Sequence, residues 1–173
     1  MIDSIHTIVV GTAKSLKGDF YYKKAKDKFW KSIFYSGITP EQIMPSEWKK
    51  IHRYGIDFME LTHRIHPTDA TIAKNELDVL KFLADIEKIT NLKNIIFNGK
   101  TAAKPFAKYI NQKLIAPPYG LKDWNFNNLQ IFILPNVTMG INHHKLWVPN
   151  EVEYFNCWVE TWRLIKNNCE IEK

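Results

Sequence analysis

The chain has 173 residues and a formal net charge of +6, and its composition is 45% hydrophobic and 24% charged. These values are typical of a globular protein and exclude a disordered or fibrous chain. The length predicts one domain over residues 1–173. The two cysteines, Cys157 and Cys169, are too few for a disulfide framework and fit no zinc-binding spacing, so we expect reduced thiols.

Membrane association is not expected from the sequence. No apolar run reaches the roughly 18 residues that a membrane-spanning helix needs. The first residues lack the basic flank and long apolar core of a signal peptide. We therefore expect a cytoplasmic protein, and we expect it to act as a monomer.

The first half of the chain alternates between predicted strands and helices. Residues 5–10 form a β-branched run that ends at Gly11, which predicts a buried strand followed by a turn. Apolar side chains at helical spacing predict a helix over residues 28–35. Residues 39–52 contain two prolines and predict short helical turns or a loop, and residues 54–62 predict a second strand.

The same alternation continues in the second half. Residues 75–89 place apolar side chains on one helical face, and residues 94–99 read as a third buried strand. Residues 100–110 predict a helix that is bent or broken at Pro105.

Two further elements complete the predicted fold: a fourth strand over residues 129–136 and a closing helix over residues 150–166. The strand–helix order predicts an α/β domain, in which a central, mostly parallel four-stranded sheet is flanked by helices on both faces. Ligands of such sheets bind beyond the carboxyl ends of the strands. The segments expected there are residues 11–30, 58–67, 98–101 and 136–145.

Positive charge is concentrated in residues 14–31, where seven lysines accompany only two acidic residues, Asp19 and Asp27. Interleaved aromatic residues make this segment suited to contacts with phosphates and to stacking on bases. The alternative interpretation is a solvated basic loop in which Asp27 caps the following helix.

Five sequence segments carry a family resemblance. In chain order they are IVVGTAKS, YYKKAKDKFWK, YGIDFMELTHR, IIFNGKTAAKPF and ILPNVTMGIN. Over about residues 5–166, they resemble the uracil-DNA glycosylase superfamily. The greatest similarity is to its hypoxanthine-DNA glycosylase-like branch and the mismatch-specific relatives of that branch. The resemblance implies an α/β/α sandwich and a DNA glycosylase activity that needs no cofactor.

The chain departs from the family pattern at four places. Lys14 stands where the first motif commonly has proline, and Ala13 stands where mismatch-specific members have a catalytic asparagine. Asp27 occupies the position of the important asparagine of the hypoxanthine-type branch. The second motif begins at Asn136 and lacks the usual Pro-Ser.

The glycosylase chemistry that the resemblance implies favours a nearby carboxylate. Glycosidic bond cleavage passes through a transition state with oxocarbenium character, which a carboxylate stabilises while it orients or deprotonates the attacking water. Asp27 is the expected carboxylate. Asp19, in the same loop, is the competing assignment.

The base must leave the duplex and enter a pocket, where its polar edge is read. Asn98 ends the third predicted strand, and its amide can both donate to and accept from a base. In the alternative interpretation, Asn98 is an ordinary turn residue. The aromatic residues assigned to the pocket, Phe20, Tyr21 and Tyr22, then belong to the core. The residues assigned to the base pocket are Asn98, Phe20, Tyr21, Tyr22, Asn136 and Thr138.

The loop after the fourth predicted strand is expected to approach double-stranded DNA, with Met139 or Ile141 as a wedge. In the alternative interpretation, this segment is an ordinary solvated loop. The histidines, including His63 and His66, have no supporting metal ligands at suitable spacing, so we expect no metal. The residues assigned to DNA contacts are Lys14, Lys23, Lys24, Met139, Asn142, His143, His144 and Lys145.

The resulting functional hypothesis is a monofunctional DNA glycosylase that acts on a deaminated base, hypoxanthine or uracil. One alternative is an anti-phage enzyme that excises a bulky modified pyrimidine from phage DNA, such as glucosylated hydroxymethylcytosine. A second is an inactive nucleic-acid-binding module. A third is a lyase that forms a Schiff base through a lysine with a lowered pKa.

Overall fold

The computed structural model describes residues 5–13, 28–64, 72–73, 76–115, 118–136 and 151–170. Its centre is one five-stranded sheet with the strand order β2-β1-β3-β5-β4. Strand β1 pairs in parallel with β2 and β3, β3 pairs in parallel with β5, and β4 is antiparallel to β5. The strands are β1 (Thr7–Gly11), β2 (Ile56–Glu60), β3 (Asn94–Asn98), β4 (Gly120–Lys122) and β5 (Gln130–Leu134).

Helices cover both faces of this sheet. They are α1 (Phe29–Tyr35), a 3-10 helix (Pro45–Tyr54), α2 (Val79–Ile86), α3 (Lys100–Tyr109) and α4 (Glu151–Glu170). Helices α2 and α3 pack on one face, and α1, the 3-10 helix and α4 pack on the other. Because the central strands are covered on both faces, they consist of apolar runs rather than an alternation of apolar and polar residues.

Successive side chains of each strand enter different cores. On β3, Ile95 and Phe97 join the core beneath α2 and α3, while Ile96 joins the core beneath α1 and α4. We refer to these two sides as the α2/α3 face and the α1/α4 face.

The predicted α/β class and the four predicted strands are confirmed, and these four are the parallel strands of the sheet. The strand number was wrong, because β4 adds an antiparallel edge strand. Strand β4 has only three residues, and its one aliphatic side chain, Leu121, is exposed, so its sequence carries no strand periodicity.

Of the predicted bend or break at Pro105, the break was wrong, since α3 continues through this residue. Proline removes the bond that an N–H at this position would donate to the carbonyl of Thr101. Thr101 is exposed, so water can replace that donor.

Within the described ranges, none of the helices combines the length and the apolar character needed to cross a bilayer.

Candidate functional site

The carboxyl ends of the four parallel strands reach the same level. Gly11 is the register partner of Glu60, and Asn98 is the register partner of Leu134. Val10 pairs with Phe97, which brings the end of β1 level with the end of β3. We call this row of strand ends the carboxyl edge.

A change of winding direction lies in the middle of the carboxyl edge. From β1 the chain passes to β2 on one side, and it then returns to β3 on the other side of β1. In open α/β sheets a ligand crevice forms at such a switch point. By this rule a crevice is expected between the ends of β1 and β3, at Gly11, which has no side chain, and Asn98.

Alternation along the strands places three chemically distinct residues in one row on the α1/α4 face. The core of that face contains Phe58, Val9 and Ile96. Two residues further along the same strands are Glu60, Gly11 and Asn98, which therefore lie on the same face of the sheet. The row therefore presents a carboxylate, a gap and an amide.

Glu60 was missed by the sequence analysis. A Cβ placed on Gly11 would lie 3.8 Å from Cγ of Glu60, so the glutamate stem borders the gap that Gly11 leaves. The available signal was its position as the last residue of a strand at the ligand edge. A single acid at a strand exit is otherwise indistinguishable from an ordinary turn residue.

Two of the predicted base-binding residues, Asn98 and Asn136, are neighbours across Gly99. Gly99 has a φ of +101°, and its N–H donates to the carbonyl of Leu134 at 2.9 Å. A Cβ on Gly99 would come within 3.1 Å of Cβ of Asn136, so only glycine permits this approach without displacement. Asn98 is buried, which makes its amide a strongly oriented polar group at the end of the sheet.

Helix α3 begins at the same point. Gly99 occupies its N-cap and offers no capping side chain. The first N–H groups of a helix lack intrahelical acceptors, and the helix dipole gives this end a partial positive charge. The carboxyl edge beside Asn98 therefore favours an anionic ligand group.

An aromatic cluster beneath the carboxyl edge fixes the chain segments that lead into it. The indole N–H of Trp158 donates to the carbonyl of Pro135 at 3.0 Å, which anchors the exit of β5. The indole N–H of Trp162 donates to Oγ of Ser32 at 3.1 Å, which anchors α1. The cluster comprises Phe29, Trp30, Phe58, Trp158 and Trp162.

Most of the residues assigned from the sequence lie outside the described residues. Helix α1 begins at Phe29, one residue after the predicted start, and Lys28 occupies the N-cap without a side-chain capping bond. Asp27 immediately precedes it in the chain. The assigned residues outside the described ranges are Asp19, Asp27, Lys14, Phe20, Tyr21, Tyr22, Lys23, Lys24, Thr138, Met139, Asn142, His143, His144 and Lys145.

Three titratable residues lie in or next to β4. Gly120 pairs with Ile133, so the beginning of β4 is close to the end of β5. The Lys122 amine donates to the carbonyl of Tyr119 at 3.1 Å, and burial lowers the pKa of Lys122. Burial, and then the charge of Cys157, raises the pKa of Tyr119 to about 12.

Cys157 is a poor candidate for a nucleophile. Burial raises the pKa of its thiol, so the reactive thiolate form is disfavoured at neutral pH. Among the described residues, no group of three or more His, Cys, Asp or Glu side chains is arranged to hold a metal ion.

Comparison with known proteins identifies the fold. No family model and no curated protein matches the sequence. The chain is similar in structure to an NMR solution structure of a "putative Uracil DNA glycosylase" from Methanosarcina acetivorans, with a TM-score of 0.52 and 16% sequence identity. The match covers 95% of this chain and 93% of that chain. At this identity the similarity establishes a shared α/β fold.

Proposed function

We propose that this chain is a DNA glycosylase of the uracil-DNA glycosylase superfamily. It would hydrolyse the bond between a flipped base and its deoxyribose and leave an abasic site. The observation that carries the proposal is the buried Asn98 amide at the switch point, beside Asn136 and the start of α3. The structural neighbour and the five ordered sequence segments support the same conclusion.

The polar groups of the carboxyl edge have separable roles in this reaction. The Asn98 amide donates to and accepts from the polar edge of the base. The leaving base becomes negatively charged as the bond breaks, and the partial positive charge at the start of α3 favours that charge. The developing cation on the sugar requires a carboxylate nearby.

Three carboxylates compete for the catalytic role. The family pattern favours Asp27, with Asp19 as the alternative in the same loop. The row on the α1/α4 face adds Glu60, which lies in the same row as Asn98 on the other side of Gly11. Parallel substitution of each carboxylate by its amide would identify the one that activates water.

The proposed substrate is a deaminated base, hypoxanthine or uracil, in double-stranded DNA. The anti-phage alternative, excision of a glucosylated hydroxymethylcytosine, is motivated by the altered motif positions Lys14, Asp27 and Val137-Thr138. A monomeric state and a cytoplasmic location remain predictions.

The test is incubation of the protein with duplexes that contain uracil, hypoxanthine or a mismatched thymine, and with glucosylated phage DNA. Alkaline cleavage detects abasic sites. Site-specific cleavage after alkali, without cleavage before it, is the expected result for a monofunctional glycosylase. Salt-sensitive DNA binding with no abasic sites on any substrate would instead identify an inactive binding module.

The lyase alternative requires a Schiff-base lysine with a lowered pKa, and Lys122 is the residue to test because burial lowers the pKa of its amine. Borohydride reduction traps a covalent adduct between such a lysine and the abasic sugar. Adduct formation by the wild type and its loss in Lys122→Met would favour the lyase. The glycosylase proposal predicts no adduct in either protein.

A further inference from the structure

Three lysines follow one another along the outer side of α3. Lys100, Lys104 and Lys108 are separated by four residues each, and all three are exposed. Steps of four residues advance about 6 Å along a helix and rotate by about 40°, so the three amines share one side of α3 over about 12 Å. The helix sequence, KTAAKPFAKY, contains no acidic residue.

Several basic residues on or next to the other helices form ion pairs within the chain. Lys50 pairs with Glu47 on the 3-10 helix, and Arg163 pairs with Glu160 on α4. Lys81 on α2 and Lys88, just after its end, both pair with Asp85.

By contrast, no acidic residue in the described part of the chain pairs with Lys100, Lys104 or Lys108. An intramolecular ion pair partly neutralises a cation, whereas an unpaired cation remains available to an external anion. Helix α3 is therefore a linear array of available positive charge.

The array starts at the candidate site. Lys100 follows Gly99 and Asn98, so the first amine lies at the carboxyl edge. The buried side of α3 packs on the sheet through Ala103 and Phe106, which turns the lysines outward. The positive end of the helix dipole coincides with the end of the array that is nearest to the site.

We propose that Lys100, Lys104 and Lys108, the α3 lysine track, bind successive backbone phosphates of the DNA strand next to the flipped base. This inference rests on the proposed function, because it places DNA at the carboxyl edge. Phosphates of one strand rise about 3.4 Å each along a duplex, so a 12 Å track spans about three of them. The track extends the DNA-binding surface from the crevice down the α2/α3 face.

The experiment measures the salt dependence of DNA binding. The track variant is Lys100→Gln, Lys104→Gln and Lys108→Gln combined. The matched control combines Lys49→Gln, Lys50→Gln and Arg163→Gln, which removes the same charge from the α1/α4 face. The probe is a fluorescein-labelled 30-base-pair duplex with a stable abasic-site analogue, and anisotropy gives the association constant between 50 and 200 mM NaCl.

If the track binds three phosphates, the slope of the logarithm of the association constant against the logarithm of the salt concentration should fall in magnitude by about 3 in the track variant. This is close to one unit per phosphate contact. The slope of the control variant should stay within about one unit of the wild-type slope, which corresponds to one phosphate contact. A Lys→Arg triple variant of the track should restore the wild-type slope, because it keeps the charge. Equal slopes for the track and control variants would overturn the inference, as would an unchanged affinity of the track variant.

The inference and the proposed function fail in different ways. If the slope depends on the track but no base is released from any substrate, the track stands and the glycosylase proposal fails. If base is released and the slopes of the two variants match, the glycosylase stands and the track fails. Because the substituted side chains are exposed or, at Lys50, partly exposed, all variants should melt within a few degrees of the wild type.

Discussion

The two faces of the sheet are packed in different ways. The α1/α4 face contains an aromatic cluster whose indole N–H groups bind Pro135 and Ser32. The α2/α3 face is built mainly from aliphatic side chains and phenylalanines such as Phe82 and Phe106. Directional hydrogen bonds fix the chain where it enters and leaves the site, whereas apolar packing holds α3 in place and leaves its outer surface to carry charge.

This difference implies that the two faces tolerate substitution differently. A buried indole bonded to a backbone carbonyl sets both a volume and a position, so its loss moves the loop that it holds. A core phenylalanine mainly contributes buried area, and its loss lowers the free energy of unfolding without redirecting a loop. Changes on the α1/α4 face should therefore affect activity out of proportion to stability.

The largest effect is expected for Asn98→Ala. Removal of a buried amide that reads the base should lower kcat/KM by about 100-fold or more, comparable to the loss of one preorganised donor. The matched control is Asn94→Ala, at the opposite end of β3, where the amide binds Thr7 and lies far from the carboxyl edge. Single-turnover base release should fall in the first variant and persist in the second, although the second loses stability. Similar rates for both variants would remove Asn98 from the site.

The next largest effect on activity is expected for Trp158→Phe, and Phe82→Leu serves as its comparison on the α2/α3 face. The first variant keeps a ring in the cluster but removes the N–H that holds the Pro135 carbonyl, so we expect about a tenfold loss of activity. The second variant removes buried area from the α2/α3 face, so it should cost about 1–2 kcal/mol of stability while activity at permissive temperature is retained. Urea unfolding and base-release rates measure both quantities. An activity loss that follows stability equally in both variants would contradict the proposed division between the faces.

A smaller effect separates two glycines of similar backbone conformation. Gly99 and Gly120 have φ values of +101° and +95°, so alanine should cost about 1 kcal/mol at either position from backbone strain. Only at Gly99 would the new Cβ contact Asn136, while nothing lies within 4 Å at Gly120. Gly99→Ala should therefore lower base release several-fold, and Gly120→Ala should not. Loss of activity in the Gly120 variant would show that strain alone accounts for the effect.

The smallest effect concerns paired and unpaired lysines on the α2/α3 face. Hydrogen bonds from Lys81 and Lys88 lower the pKa of Asp85 to about 2, from 3.8. Because the folded-state pKa is depressed, this stabilisation is present above about pH 4 and is lost as the pH falls through about 2. Exposure limits it to at most about 1 kcal/mol.

Asp85→Asn should therefore lower the melting temperature by a few degrees at pH 6 and by less at pH 2.5. Lys104→Gln should change the melting temperature at neither pH, because no acidic residue within the described ranges pairs with Lys104. A destabilised Lys104 variant would reveal a structural role for the track.

The sequence predicted the parts of the fold that depend on local periodicity. The four parallel strands are buried on both faces, so each appears as an apolar run with a clear end, and Asn98 was recognised because it closes one of them. Strand β4 has no such run, since it is held by pairing with β5 rather than by its own burial. The continuity of α3 through Pro105 depends on the exposure of Thr101, which the sequence does not specify.

The site was predicted less completely for a related reason. Glu60 became a candidate only when the strand register placed it beside Gly11, and register is a property of the whole sheet. The contact between Gly99 and Asn136 joins two segments that are 37 positions apart in the chain. The roles of Asp27 and Asp19 still rest on the family resemblance, because both lie outside the described residues.

The most direct test of the central claim is mass spectrometry of the small molecules released when the wild-type protein is incubated with the panel of modified DNAs. A glycosylase should release a free base from at least one DNA, in an amount equal to the number of alkali-labile sites formed. DNA binding without release of a base from any member of the panel would contradict it.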